Sequence, residues 1–129
     1  MALLIDTELL LEPRRATDCI EQLAGRETCA ISVVSVSELL HGVGRATGAT
    51  RTKRAAFVEH LLAVLEPIPI TESVARIHAE IWAQLTRRGQ TVGAHDLWIA
   101  ATALAYGLSL VTPNKAEFGR VPGLRLLPC

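Results

Sequence analysis

Apolar and polar positions fall along this chain in blocks of two kinds. Short, mainly apolar runs recur at residues 2–5 (ALLI), 28–34 (TCAISVV), 108–112 (LSLVT) and 124–127 (LRLL). Their length suits strands buried on both faces of a parallel sheet. Between them lie longer stretches with helical spacing. Asp6 opens a short helix through Leu11. Pro13 takes the first turn of a second helix, which runs to about Ala24 and stops at Gly25. Ser35 begins a helix through about Val43, and the small, glycine-punctuated segment 44–50 (GRATGAT) reads as a loop. Residues 51–65 are helical, with a basic start and an apolar face of Phe57, Leu61, Leu62 and Leu65. Pro67 and Pro69 mark a short extended piece near a sheet edge.

The clearest amphipathic helix starts at Thr71 and Glu72. Val74, Ile77, His78, Ile81, Trp82 and Leu85 line one face, and Arg87, Arg88 and Gly89 end it. An alanine-rich helix over 96–106 stops at Gly107. Strands alternating with helices predict an α/β/α sandwich around a mostly parallel sheet of four to five strands. The length, 129 residues, predicts a single domain spanning 1–129.

Composition narrows the picture. Half the residues are hydrophobic and a fifth charged, as in a globular chain; the aromatic share of 4% leaves the core to Leu, Ile, Val and Ala. Formal net charge is zero, so bulk charge does not point to nucleic acid; a polyanion needs a local basic patch or a metal. The three cysteines, Cys19, Cys29 and Cys129, form no Cys-x-x-Cys pair and read as reduced thiols. No positive n-region precedes the opening apolar stretch, and no run approaches the ~20 apolar residues of a membrane span. The expected location is the cytoplasm.

Three carboxylates then change the reading. Asp6, Glu38 and Asp96 each stand at the start of an expected helix, after an apolar or small-residue stretch. In an open parallel sheet, sites form outside the carboxyl ends of the strands. Asp6, Glu38, Asp96 and the Thr112–Asn114 turn can all reach one crevice there. Oxygen ligands from distant segments are what a hard divalent cation needs. Each acid also has a plain structural explanation. Asp is a good N-cap, and Ser35-x-x-Glu38 matches a capping box. Position alone leaves both readings open.

Other constellations are weaker. His95-Asp96 lacks the further ligands and all-helical scaffold of a His-Asp phosphohydrolase. His41, His60 and His78 have no metal-ligand spacing, and His78 reads as a core histidine. There is no P-loop, dinucleotide fingerprint or nucleophile elbow. Trp82 and Trp98 read as core or interface residues. Arg14, Arg15, Arg51, Lys53, Arg54, Arg87 and Arg88 read as mostly solvated surface, with some placed to rim a phosphate-binding groove. A receiver-like phosphoacceptor would need an aspartate after its third strand, where IPIT offers none, and an RNase H-like nuclease would open with an antiparallel meander.

Three blocks in order resemble the PIN-domain family and, within it, the VapC-type toxins: LLIDTELLL, SVVSVSELLHG, and GQTVGAHDLWIAATALAYGLSLVTPNKAEFGRVPGLRLL. The resemblance spans nearly the whole chain. It implies a PIN-like fold and an endoribonuclease dependent on Mg²⁺ or Mn²⁺. It carries over Asp6, Glu38 and Asp96 as acidic metal-site residues and Thr112 as the hydroxyl beside them. The family's frequent fourth acid falls on Asn114, which offers a neutral carbonyl ligand, and Glu117 is near enough to supply the missing charge. The resemblance further implies a cognate VapB-type antitoxin whose C-terminal segment lies in the active-site groove, with a basic side chain facing the acids. It also implies a homodimer and a toxin–antitoxin hetero-oligomer, which would bury surplus apolar surface on the helices at 57–65 and 74–85. The alternative is a catalytically weak PIN-like module that binds RNA or protein.

Overall fold

The computed structural model describes residues 2–25 and 27–129. Five parallel strands form one sheet in the order β3-β2-β1-β4-β5. They are β1 (Ala2–Ile5), β2 (Thr28–Ser32), β3 (Glu66–Ile68), β4 (Ser109–Val111) and β5 (Leu126–Leu127). The helices are α1 (Thr7–Leu10), α2 (Pro13–Ala24), α3 (Val33–Arg45), α4 (Gly48–Val64), α5 (Glu72–Arg87), α6 (Ala94–Ala105) and α7 (Lys115–Phe118). The sheet is wholly parallel, and Pro67 lies in edge strand β3, where a missing N–H costs no ladder bond.

Alternation along β1 splits the core. Leu4 packs on one face with Val74, Ile81, Leu85 and the buried residues of α6. Leu3 and Ile5 pack on the other with Leu9, Cys19, Leu39, Val58 and Leu61. The result is helices on both faces. The alanine richness of α6 follows from its place: Ile99, Ala100, Ala101 and Ala103 are wholly buried, so small side chains permit close approach. No helix among the described residues is long and apolar enough to cross a membrane.

Three sequence expectations need correction. The second strand ends at Ser32, not at residue 34. The Ser32 hydroxyl accepts from the Val34 amide, so the β-branched Val33 and Val34 begin α3 rather than extend β2. Ser35 is therefore inside the helix, and no Ser35–Glu38 capping box forms. The 44–50 loop shrinks to two residues, because α3 continues to Arg45 and α4 starts at Gly48. The cysteines are not all free. Cys19 and Cys129 form a disulfide with Cα atoms 5.7 Å apart, and Cys29 remains a thiol. Their separation of 110 residues hid the pair from any local spacing rule. The short helix α7 was also not foreseen.

The strand order reverses around β1. Its sequence successor β2 lies on one side and β4 on the other. A crevice opens beyond the carboxyl ends of β1 and β4, the topological switch point where ligands bind in such sheets.

Candidate active site

Asp6 is the first residue past β1. Its amide donates to the Val111 carbonyl at 2.9 Å, which fixes the chain at the mouth of the crevice. It occupies the N-cap position of α1 with extended backbone, and its carboxyl also feels the Glu8 amide of that helix, more weakly than the Thr112 hydroxyl. One carboxylate oxygen accepts from the Thr112 hydroxyl at 2.7 Å. Thr112 follows β4, and its own amide donates to Leu127 on β5. The two central strands thus deliver an acid and the hydroxyl that holds it. Asp6 is buried, and burial raises its carboxyl above the usual range against the opposing pull of the Thr112 bond.

Glu38 comes from α3. The Thr7 hydroxyl donates to its Oε1 at 2.9 Å and lies 2.7 Å from the Ser35 hydroxyl. Thr7 has one hydroxyl hydrogen and gives it to the carboxylate, so Ser35 is the donor to Thr7. The resulting relay joins α1 to α3. On the other side, His95 Nδ1 stands 3.5 Å from Glu38 Oε2. The serine of the apparent capping box therefore acts across helices.

Asp96 sits in the first turn of α6, whose N-cap is Gly93. It does not cap that helix. Its carboxyl is pushed up to about 6, first by burial and then by the charges of Asp6, Glu117, Glu38 and Glu8. The charges of these four residues are thus near enough to act on Asp96. Among the described residues none of these five acids is paired with a lysine or arginine.

Glu117, on α7, is the most restrained of the set. The Gly93 amide donates to its Oε1, and Asn114 Nδ2 donates to its Oε2 at 3.0 Å. Asn114 is also the N-cap of α7, its carbonyl oxygen accepting from the Glu117 amide at 3.3 Å. Both polar atoms of the Asn114 side chain are thus engaged with Glu117. A Cβ at Gly93 would lie 3.3 Å from Glu117 Oε1 and 3.6 Å from Asp96 Oδ2. Glycine there lets α6 and α7 bring their acids together.

A cavity of about 560 Å³ opens here, lined by Asp6, Glu38 and Asp96 together with His41, Arg45 and His95; Thr112, Asn114 and Glu117 stand outside its lining. The donors are hard oxygens carrying uncompensated negative charge, which suits a hard divalent cation. They do not form a finished cage: among the described residues no three acid, histidine or cysteine side chains stand as a ready ligand set. Glu38 and Glu117 instead are held by hydrogen bonds around the pair Asp6 and Asp96.

Sequence reasoning missed the supporting roles of Thr7, Ser35 and Gly93. A hydroxyl directly after Asp6 and a glycine three positions before Asp96 were visible, but their partners lie 28 or 31 residues away for Thr7 and 24 for Gly93.

Comparison with known proteins places this chain in a lineage. The PIN domain family model matches residues 3–124. Ribonuclease VapC1 of Rickettsia felis is 34% identical over 128 residues, covering 98% of this chain and 96% of that protein. The tRNA(fMet)-specific endonuclease VapC of Salmonella typhimurium is 35% identical over 96 residues, covering 74% and 71%. The crystal structure of VapBC2 from Rickettsia felis, a toxin–antitoxin complex bound to a DNA fragment from their promoter, superposes with a TM-score of 0.88. That match has 27% identity and covers 100% of this chain and 99% of the other. The family-model match over residues 3–124 and the similarity to these proteins show that this chain belongs to the PIN-domain family and to its VapC branch.

Proposed function

We propose that residues 1–129 form one domain that hydrolyses RNA phosphodiester bonds with a divalent cation, as the toxin of a toxin–antitoxin pair. The observation that carries this reading is the convergence of Asp6, Glu38 and Asp96 on one crevice, with Glu117 close enough to Asp96 to act on it and Asp96 raised to about 6 by burial and by the other acids. Such a cluster is costly without a cation, and its oxygen chemistry favours Mg²⁺, with Mn²⁺ as the alternative. The VapC relatives, named as ribonucleases, support the RNA substrate.

Asp6 and Asp96 would hold the ion, with Glu38 reaching it directly or through water. The chemistry a bound divalent cation supplies is polarisation of the phosphate and a lowered pKa for the attacking water. Thr112 keeps the Asp6 carboxylate oriented, and Thr7 does the same for Glu38. Glu117, fixed by Gly93 and Asn114, occupies the fourth acidic corner, while Asn114 serves mainly to position it. Glu38 or Glu117 orients the attacking water. Water oxygen bonds to phosphorus as its proton passes to solvent, the bond to the leaving oxygen breaks, and solvent protonates that oxygen.

A cognate VapB-type antitoxin would silence the site by presenting a basic side chain to the acids. A homodimer, and with the antitoxin a hetero-oligomer, would cover apolar side chains left in water: Val64 on α4 is 55% exposed and Trp82 on α5 is 60% exposed. The cytoplasm, where RNA is available, is the compartment this role requires.

Asp6→Asn tests the assignment. With Mg²⁺ or Mn²⁺ titrated against a total tRNA pool, the variant is expected to lose cleavage by a factor of roughly 100 or more. Undiminished cleavage would remove Asp6 from the mechanism. If the unaltered chain cuts no RNA with either ion, the catalytically weak binding module takes its place.

A further inference from the structure

The acidic cavity does not end at Arg45. Leu11, Glu38 and Arg45 line it and also line a second groove of about 420 Å³ between the α1–α2 turn and the α3–α4 hairpin. The two adjoin along these three residues. Arg45 lies two turns beyond Glu38 on α3, a rise of about 10 Å. Past it, Lys53 and Arg54 on α4 stand on the same wall.

The charge pattern there is one-sided. From residue 39 to residue 58 the chain carries Arg45, Arg51, Lys53 and Arg54 and no aspartate or glutamate. In a molecule of zero formal charge, this is a local concentration of cations. Arg45, Lys53 and Arg54 are exposed, and among the described residues none has a carboxylate partner. The Arg54 guanidinium donates to the Gly42 carbonyl at 3.4 Å, and both residues line the groove. The floor is apolar: Leu10, Leu39 and Val58 are buried, Phe57 is half-buried and Leu11 is 58% exposed. A polyanion with flat apolar faces matches both surfaces, its phosphates on the cationic wall and its bases on Leu11 and Phe57.

We propose that this groove is the track for the RNA strand flanking the cleaved bond, with Arg45, Lys53 and Arg54 as its phosphate-binding residues. The inference rests on the ribonuclease reading of the acidic site. Charge segregation gives it a physical logic. Acids at the centre repel phosphate until a cation is bound, so the strand needs cations outside the centre to be held at all. An unpaired strand fits better than a duplex, because only splayed bases reach the apolar floor.

The test measures binding apart from cleavage. Asp96→Asn suppresses hydrolysis, and fluorescence anisotropy with a labelled oligouridylate follows binding across a salt series with Mg²⁺ present. Adding Lys53→Ala and Arg54→Ala should weaken binding about tenfold and reduce the salt slope by about 1.4, roughly 0.7 for each lost phosphate contact. Arg76→Ala, on the opposite face of the sheet, should change neither. In the otherwise unaltered chain, the Lys53 and Arg54 changes should raise KM with kcat preserved. Unchanged affinity and slope would overturn the track. So would a loss confined to antitoxin binding, which would give the groove to the protein partner. If the unaltered chain cuts no RNA with any divalent ion, the ribonuclease reading itself has failed, an outcome distinct from normal cleavage with an unchanged KM.

Discussion

Asp96 is the residue on which the electrostatic cost of the site falls. Its carboxyl is held near 6 by burial and by its acidic neighbours, whereas an unfolded chain releases that proton near 3.8. Between those values the folded, metal-free protein binds the extra proton, so this group's contribution makes stability fall as pH rises through the window. The expected outcome is that Asp96→Asn melts at a higher temperature than the unaltered chain near pH 7 without metal. The gap should close as pH drops towards about 4, where the native carboxyl is protonated. Adding Mg²⁺ or Mn²⁺ should stabilise the unaltered chain and not the variant. A gap that stays constant with pH would mean that the acids do not repel one another. At the same scale, Thr112 and Thr7 show how a hydroxyl can do for a carboxylate what a basic side chain does elsewhere. Each donates one hydrogen bond to a single carboxylate oxygen; the other Glu38 oxygen faces His95.

Among the elements, α3 departs most usefully from its sequence reading. Its start at Val33 rather than Ser35 turns Ser35 towards Thr7 and frees Glu38 from any capping role. The cap is Ser32, so Ser32→Ala is expected to cost about 1 kcal/mol in urea denaturation, while Ser35→Ala leaves helix content unchanged. An equal loss of helix in both would return the cap to Ser35. The strand and helix pattern elsewhere was legible because it is local. Residues 2–5 form a buried strand at the centre of the sheet, and the α5 face of Val74, His78, Ile81 and Leu85 is buried as its spacing predicted. Trp82 broke that pattern. It shares the apolar stripe but remains mostly exposed, while His78 stacks on Trp98 with ring centroids 3.6 Å apart. Periodicity identifies a stripe, not its edge, and the width of the neighbouring helix decides which stripe residues are covered.

For the whole molecule, the disulfide is the feature with the longest reach. Cys129 joins the chain end, just past β5, to Cys19 on α2. The bond closes a loop of 110 residues, and the chain-entropy argument makes that worth up to about 5 kcal/mol. Thiol titration of the unfolded, unreduced chain should find Cys29 alone, and all three cysteines after reduction. Cys129→Ser should lower the stability of the oxidised chain and leave that of the reduced chain unchanged. Three reactive thiols before reduction would show that the bond does not form. The C-terminal pairing it secures also bears on the site, since the Leu127 carbonyl accepts from the Thr112 amide and Thr112 holds Asp6.

By itself the sequence determined the alternating α/β pattern, the parallel class of the sheet, and the candidacy of Asp6, Glu38 and Asp96. These follow from forces acting over a few residues: the strand and helix periods, proline and glycine punctuation, and the run of apolar residues a buried strand needs. Only the tertiary structure decided that the acids meet, that Asn114 faces Glu117, and that Gly93 and two threonines orient the carboxylates. It also decided that Cys19 reaches Cys129. Those contacts join positions as far as 106 and 110 residues apart. No local preference encodes such a pairing; strand order and helix packing fix it when the whole core closes.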